Sequence, residues 1–466
     1  MTTDSRTREN PWLVYLWLTG LLLLTVAAYW PAMGGPLLLD DFTVIPQLIA
    51  AREAGQTLWE TLQNAPYHVR GRVVSNFSFV LSNELTPFVT DPVFAQKLGN
   101  LLLHLISGLL VVRLIRGLSH MSGADPLAQR WIPLIAGALF LLHPLLLSTV
   151  AYAVQRMAIL STLFVLLAVL AYLAWRRGLE DASTPVWRQW LRLGSVPLFT
   201  GLAYASKENG ALAPLLIGCI ELLVLRWPSR ERAIRPAFEQ GFGLCVAAPL
   251  ALGAVLLGLR WGAVLQSYEE RDFSLGERLL TQVHVLWEYI GHWIWPQVSA
   301  MGLYRDDIRL VRALDPTTLA LGAALAGLLV TAIAIRRKMP LVALGLGWFF
   351  AAHAMESTVL SLELYFEHRN YLAGPGVALI AAALIVRLPH RAALVLATTL
   401  TLLLALQTTR RAADWTDFES FIRAEAQHHP TSLRAGVELT LELERDPQRR
   451  QQARDQVERL ASAFPR

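Results

Sequence analysis

The sequence predicts an all-α, polytopic membrane protein. Of its 466 residues, 54% are hydrophobic and only 17% are charged, whereas a soluble domain carries about 25% charged residues. The apolar residues also come in blocks of roughly 20, which is the length at which a helix crosses a bilayer. Both observations favour membrane-spanning helices over a soluble core.

The formal net charge of +5 arises largely from arginines in the connections between apolar blocks. This distribution indicates membrane topology rather than nucleic-acid binding. Cys219 and Cys245 both lie inside apolar blocks, so the sequence predicts no disulfide framework. It contains neither a P-loop nor a dinucleotide glycine fingerprint, and we expect no cofactor.

The apolar blocks predict about 11 spans, beginning with an uncleaved N-terminal segment that follows Arg6 and Arg8. Their predicted bounds are 11–31, 97–117, 131–147, 156–175, 193–206, 210–226, 240–259, 318–335, 340–354, 371–387 and 391–408. Basic residues fall in every second connection, and the positive-inside rule makes these connections cytoplasmic. They are Arg113 with Arg116, Arg176 with Arg177, Arg226 to Arg235, Arg336 to Lys338, and Arg387 with Arg391. The N-terminus is therefore predicted inside and the C-terminus outside.

Two long outer connections and a polar tail complete the predicted organisation. The first connection, about 32–96, has the mixed polarity of short interfacial helices. The second, about 260–317, contains an aromatic-rich helix from Leu279 to Trp295, which we expect to lie on the membrane interface. Residues 1–410 are predicted to form the transmembrane domain, and 411–466 two or three soluble helices on the outer side.

Four polar clusters fall at the predicted outer face, where ionised groups avoid the several kcal/mol that burial in hydrocarbon costs. They are Asp40-Asp41, His143-Pro144 with Tyr152-Ala153-Val154-Gln155-Arg156, Ser206-Lys207-Glu208-Asn209, and Glu356, Glu363 and Glu367-His368-Arg369-Asn370-Tyr371. Each cluster also has a purely structural interpretation. The aspartates could cap a helix, and His143-Pro144 could end one. Arg156 could contact lipid headgroups, and Lys207-Glu208 could be a charge pair at a helix end. Their coincidence on one face predicts a shared polar cavity.

Carboxylates that face lysine, arginine and histidine suit group transfer from a lipid-linked phosphate. A carboxylate can take the proton from an acceptor hydroxyl, and cations can stabilise the departing phosphate. Two adjacent carboxylates are a weak metal signature, and we predict no metal.

Several short motifs occur in the chain: Gly71-Arg72 with Ser75-Asn76, His143-Pro144, Val150-Ala151-Tyr152, Gln155-Arg156, Lys207-Glu208, Glu356-Ser357, and Glu367-His368-Arg369 with Tyr371-Leu372. Their ordered set, over most of residues 30–430, resembles bacterial relatives of the tetratricopeptide-repeat transmembrane O-mannosyltransferases. These are polyprenyl-phosphate-sugar-dependent glycosyltransferases of the GT-C class. The resemblance implies a GT-C-like fold in the cytoplasmic membrane of a bacterium, and it suggests a degenerate tetratricopeptide-like unit for the tail.

The resemblance also implies roles for the polar residues. The acidic pair Asp40 and Asp41 would supply the catalytic base, and the analogy leans towards Asp40. Independently of the resemblance, Arg156, Lys207, His368 and Arg369 are the cations available on the predicted outer face, and we expect them to hold the donor phosphate. Supporting roles would fall to Arg72, His143, Gln155, Glu208, Glu356, Glu367 and Tyr371.

The predicted function is therefore inverting transfer of a sugar from a polyprenyl phosphate to a hydroxyl acceptor, such as Ser or Thr of an exported protein. Lipid A or a polysaccharide is an alternative acceptor. A transporter or flippase and a membrane assembly factor are alternatives of other classes. Transporters usually place ionisable groups near the bilayer midplane, whereas these clusters are predicted at one face. Membrane lipid is an expected partner, and nucleic acid is not.

Overall fold

The computed structural model describes residues 11–85, 91–181, 183–225 and 234–463, and these residues form helices and connections without any strand. The predicted all-α class is confirmed. The α-helices are α1 (Pro11–Tyr29), α2 (Asp41–Glu53), α3 (Leu58–Gln63), α4 (Val73–Glu84), α5 (Pro92–Met121), α6 (Pro126–Leu142), α7 (Leu147–Ala151), α8 (Arg156–Gly178), α9 (Val186–Tyr204), α10 (Ala213–Ile220), α11 (Arg235–Phe242), α12 (Ala248–Leu259), α13 (Trp261–Gln266), α14 (Leu275–Ile294), α15 (Pro316–Ile335), α16 (Pro340–His353), α17 (Asn370–Ile385), α18 (His390–Ala413), α19 (Phe418–His428), α20 (Leu433–Glu444) and α21 (Arg450–Ala463).

Aspartate followed by proline begins three of these helices, α5, α6 and α15. The side chains of Asp91, Asp125 and Asp315 accept hydrogen bonds from the N–H groups of the first turn, at 2.9, 3.0 and 2.6 Å. The following proline has no N–H to leave unsatisfied and a φ angle that suits the first helical position. The starts of these helices are therefore encoded locally.

Seven helical segments within the described residues are long and apolar enough to cross a membrane: Val14–Gly34, Pro92–Met121, Ala153–Gly178, Glu208–Leu225, Arg235–Leu259, Pro316–Ile335 and His390–Ala413. An eighth arises if Pro126–Leu142 and Pro144–Ala151, which meet at a bend of 52°, count as one span. The protein is therefore a multi-pass membrane protein.

The count of 11 spans is not confirmed. Three predicted spans correspond to α9, α16 and α17, which are absent from this set. The helix α16 has 14 residues and α17 has 16, so at 1.5 Å per residue they extend about 21 and 24 Å, short of a hydrocarbon core of about 30 Å. Arg6, Arg8 and most of the Arg226–Arg235 connection lie outside the described residues.

The centre of the bundle is formed by α5, α6, α8, α16 and α17, which pack against one another. Most side chains of α6, α8 and α17 are buried. By contrast, α12 has no buried residue although its sequence is almost entirely apolar. Such a surface is unfavourable in water and favourable in lipid, so the exposed faces of α12, α15 and α18 are those expected of a membrane protein.

The connection at about 32–96, predicted to be the first outer one, contains the short helices α2, α3 and α4, as its mixed polarity predicts. The aromatic-rich segment of the second connection forms α14, whose start is fixed by a capping box between Ser274 and Glu277. After α18 the chain forms three further helices, α19 to α21, over the segment for which two or three are predicted. These connections and the tail meet at one end of the bundle.

Candidate active site

A polar cavity of about 730 Å³ lies where the connections between helices converge. The predicted residues that line it are Asp40, Arg72, Gln155, Lys207, Glu208, Glu356, His368 and Arg369. Each of the four polar clusters contributes at least one of these side chains. Asp41, His143, Arg156, Glu367 and Tyr371 are not part of the lining.

Asp40 and Asp41 occupy different environments. Asp41 is fully buried, and its carboxylate accepts N–H bonds from Leu38 at 3.0 Å, Ala153 at 3.3 Å and Val154 at 2.6 Å. Burial raises the pKa of Asp41 to about 7, against the opposing effect of these bonds. Asp40 is exposed in the cavity. Only Asp40 can therefore reach a substrate without breaking backbone contacts.

The turn that precedes α2 orients Asp40. Its backbone N–H donates to the Tyr152 hydroxyl at 3.0 Å. Leu39 has a φ of +45°, a left-handed conformation that is uncommon for residues other than glycine and costs of order 1–3 kcal/mol. The Asp41 N–H donates to the Leu38 carbonyl at 2.8 Å, which closes the turn around Leu39. Strain at Leu39 is thus compensated by the buried contacts of Asp41.

Lys207 and Glu356 form an ion pair in the cavity wall. The Nζ atom of Lys207 lies 3.2 Å from Oε1 of Glu356, and both side chains are less than 10% exposed. Burial lowers the pKa of Lys207, and Glu356 opposes this effect. Burial acts to raise the pKa of Glu356, but Lys207 and Arg369 outweigh it and lower that pKa overall. The second carboxylate oxygen of Glu356 accepts no hydrogen bond from the described residues.

His368 and Arg369 lie side by side in the lining. The His368 ring stacks on Phe366 at 4.8 Å between centroids. Burial, together with Lys207 and Arg369, holds the pKa of His368 well below its usual value, so the ring is neutral at neutral pH. This environment does not fit the cationic role predicted for His368. The Arg369 guanidinium donates to the carbonyls of Leu364 at 3.0 Å and Glu363 at 2.5 Å.

Arg72, Glu208 and Gln155 complete the predicted part of the lining. The Arg72 guanidinium contacts both carboxylate oxygens of Glu208, with Nε and a terminal nitrogen each at 2.9 Å. Glu208 is about half exposed. The buried side-chain oxygen of Gln155 has no hydrogen-bond partner among the described residues, so it can accept one from a ligand.

Arg156 lies inside the protein instead of in the cavity. It is 1% exposed. Its guanidinium donates to the side chains of Asn100 at 2.7 Å and Ser82 at 2.8 Å, and to the carbonyls of Ser78 and Gln96. A donor phosphate would have to displace these bonds. Arg156 therefore joins α4, α5 and α8, and the structure does not place it where the predicted phosphate site requires it.

Three other predicted residues also have internal partners. His143 packs against the Trp293 ring at 4.2 Å. Glu367 forms an ion pair with Arg411 at 2.6 Å. The Tyr371 hydroxyl lies 2.8 Å from Nδ1 of His104. All three side chains are buried and support the walls behind the cavity.

The lining also includes Arg271, Arg305 and Arg434, which were not predicted. The run Arg305-Asp306-Asp307 could have indicated this part of the lining, because three ionisable groups follow one another in a connection predicted to be outer. No sequence feature singles out Arg434, because it is one of many arginines in a polar tail. Arg278, also not predicted, donates to the carbonyls of Glu356, Thr358 and Leu362 and so shapes the connection before α17.

Comparison with known proteins gives one partial relationship. No family model matches the chain, and no solved structure does. Over 126 residues the chain is 34% identical to Protein O-mannosyl-transferase Tmtc2 of Drosophila melanogaster, a match that covers 27% of this chain and 12% of that relative. The matched segment is thus a small part of that relative's length.

Proposed function

We propose that this protein is a glycosyltransferase that moves a sugar from a polyprenyl phosphate to a hydroxyl acceptor at the outer face of the cytoplasmic membrane. The observation that carries the proposal is the cavity itself, which joins the exposed carboxylate of Asp40 to Lys207 and Arg369. These residues come from separate connections of a multi-pass membrane protein, beside apolar helices that a lipid-linked donor can approach.

The chemistry assigned to Asp40 is that of a general base. Its carboxylate takes the proton of the acceptor hydroxyl while the hydroxyl oxygen attacks the anomeric carbon of the sugar. The bond between that carbon and the phosphate oxygen breaks, and the phosphate leaves with the electron pair. Attack from the side opposite the leaving phosphate inverts the anomeric configuration.

The departing phosphate gains negative charge, and cations in the cavity wall can stabilise it. Lys207 and Arg369 are assigned this role, because both line the cavity and their positions are held by internal contacts. Preorganised charges of this kind favour the transition state over the ground state. The neutral ring of His368 is assigned a hydrogen-bonding role beside them.

Asp41 and Arg156 are reassigned to the scaffold in this proposal. Asp41 fixes the turn that orients Asp40. Arg156 holds the first outer connection against α5 and α8. Neither residue is required to touch a substrate.

The proposed acceptor is a Ser or Thr hydroxyl of an exported protein, and lipid A or a polysaccharide is the alternative. The partial similarity to a protein O-mannosyl-transferase favours a protein acceptor and makes a mannosyl donor the first to test. A transport function is less well supported, since the polar lining comes from connections between helices, whereas transporter sites usually lie near the bilayer midplane on broken helices.

The proposal is tested by mass spectrometry of exported proteins and envelope glycans from cells with and without this protein. We expect a hexose on Ser- or Thr-containing peptides that disappears in the deletion strain and returns with the wild-type chain. Complementation by the Asp40→Asn variant should not restore it. An unchanged set of glycopeptides and glycans would contradict the proposed function.

A further inference from the structure

Arg434 differs from the other arginine and lysine side chains of the cavity in having a free guanidinium. Arg72, Lys207, Arg271 and Arg305 are each ion-paired with a glutamate, at 2.9, 3.2, 2.8 and 2.7 Å. Arg369 donates to two backbone carbonyls. Among the residues that the structure describes, the side chain of Arg434 forms neither a hydrogen bond nor an ion pair.

The guanidinium of Arg434 is held weakly. Its central carbon lies 5.9 Å from the centroid of the Tyr304 ring, near the limit of about 6 Å for an attractive contact between a cation and a ring. The side chain is exposed in the cavity. It can therefore turn towards a ligand without breaking a strong contact.

The backbone that carries Arg434 is firmly anchored. Its N–H donates to Asp306 at 3.0 Å, and the Ser432 hydroxyl donates to the other carboxylate oxygen of Asp306. In the last turn of α19, the buried carboxylate of Glu425 accepts N–H bonds from Leu303 and Tyr304 at 2.9 and 2.8 Å. The tail is thus fixed to the cavity wall on both sides of the connection between α19 and α20.

We propose that Arg434 binds the phosphate group of the polyprenyl-phosphate donor, so that the C-terminal tail is part of the donor site. This inference rests on the proposed function. A guanidinium offers a planar fork of donors that matches two phosphate oxygens. The paired cations must share or give up a partner to do the same, whereas Arg434 loses only a weak ring contact.

The test uses the full-length chain in phosphatidylcholine nanodiscs with polyprenyl phosphate as the probe. We expect Arg434→Ala to weaken its binding by roughly 10- to 100-fold, as loss of charge-assisted hydrogen bonds would. The affinity of Arg434→Lys for polyprenyl phosphate should lie between those of the wild-type chain and Arg434→Ala, because lysine keeps the charge but lacks the planar fork of donors. Arg445→Ala is the matched control: Arg445 follows the C-terminal end of α20, is not part of the cavity lining, pairs with Glu442 and is 73% exposed, and its loss should leave binding unchanged.

Amide hydrogen exchange of residues 433–443 gives a second readout. Polyprenyl phosphate should slow exchange in the wild-type chain and not in Arg434→Ala. Only the wild-type tail has the guanidinium that binds the phosphate. Arg434→Gln serves in place of the alanine variant if the latter is poorly folded. Wild-type binding by both variants would overturn the role of Arg434 alone, whereas failure of the wild-type chain to bind polyprenyl phosphate would contradict the proposed donor class. Protection of the tail by an acidic peptide, and not by polyprenyl phosphate, would also overturn the inference.

Discussion

Asp40 and Asp41 are adjacent in the sequence, but their carboxylates lie in different environments. Asp40 opens into the polar cavity, and Asp41 is enclosed by the N–H groups of Leu38, Ala153 and Val154. The left-handed conformation of Leu39 lies in the same turn. One acidic pair thereby supplies both a reactive group and the structural support that orients it.

The two asparagine variants should have different defects. Asp40→Asn should lower sugar transfer by roughly 10²- to 10⁴-fold, the usual contribution of a general base, with little effect on folding because Asp40 is exposed. Asp41→Asn should instead lower thermal stability, because the amide nitrogen replaces one of two oxygens that accept buried N–H bonds. The measurements are product formed per amount of inserted protein, and the melting temperature of each variant in detergent.

Full transfer activity in the Asp40→Asn variant would remove Asp40 as the base. The matched control is Glu53→Gln, which neutralises a carboxylate in the same outer connection but outside the cavity. It should change neither activity nor stability.

The Lys207–Glu356 pair offers a test that separates stability from catalysis. Lys207→Met or Glu356→Gln alone should destabilise the protein by about 3 kcal/mol, because each leaves the other charge buried without its partner. The double variant should regain much of this stability, since no unpaired charge remains. Sugar transfer should stay low in the double variant, because the cation that faces the phosphate is absent.

Thermal unfolding and transfer rate, measured on the same four preparations, complete this double-mutant cycle. A double variant that is both stable and fully active would show that the pair only supports the cavity wall.

Two arginine-to-lysine variants should also differ in whether they lose transfer activity or folded protein. Arg369→Lys should reduce transfer while leaving most of the protein folded, because an ammonium cannot replace the planar fork that lines the cavity. Arg156→Lys should reduce the yield of folded protein, because lysine cannot satisfy acceptors on α4 and α5 at once. Arg391→Lys, at the start of α18, is the control for the substitution itself.

Size-exclusion chromatography and transfer activity per folded molecule distinguish these effects. Normal activity in Arg369→Lys would indicate that Arg369 serves only to hold the carbonyls of Glu363 and Leu364. A well-folded Arg156→Lys variant that is selectively inactive would return Arg156 to the site.

The predicted orientation can be tested with single cysteines in a chain that lacks Cys219 and Cys245. Tyr67→Cys, at a position that is 90% exposed in the first outer connection, should react with a membrane-impermeant thiol reagent in spheroplasts. Lys338→Cys, at an exposed position between α15 and α16, should react only after the membrane is permeabilised. The reverse pattern would place the cavity on the cytoplasmic side.

The sequence by itself determined the membrane class and the positions of the long helices, because apolar length and helix capping are local properties. The blocks around Pro92–Met121, Pro316–Ile335 and His390–Ala413 could be recognised in this way. It also indicated that Asp40, Lys207, Glu356 and Arg369 would meet, since the alternating basic connections predict one common face for them, and all four line the cavity.

Only the tertiary structure decided which polar side chains reach the cavity and which are used to build it. The carboxylate of Asp41 and the guanidinium of Arg156 find their partners in distant segments, such as Val154 and Gln96, and no local pattern encodes such contacts. The helices α16 and α17 match two predicted spans in sequence, but they are shorter than the seven segments long enough to cross a membrane. Arg434 reaches the cavity because Glu425 and Ser432 fix the tail to residues more than 100 positions earlier. Burial and hydrogen-bond partnership depend on residues far apart in the chain, and for that reason they emerge only when the chain is folded.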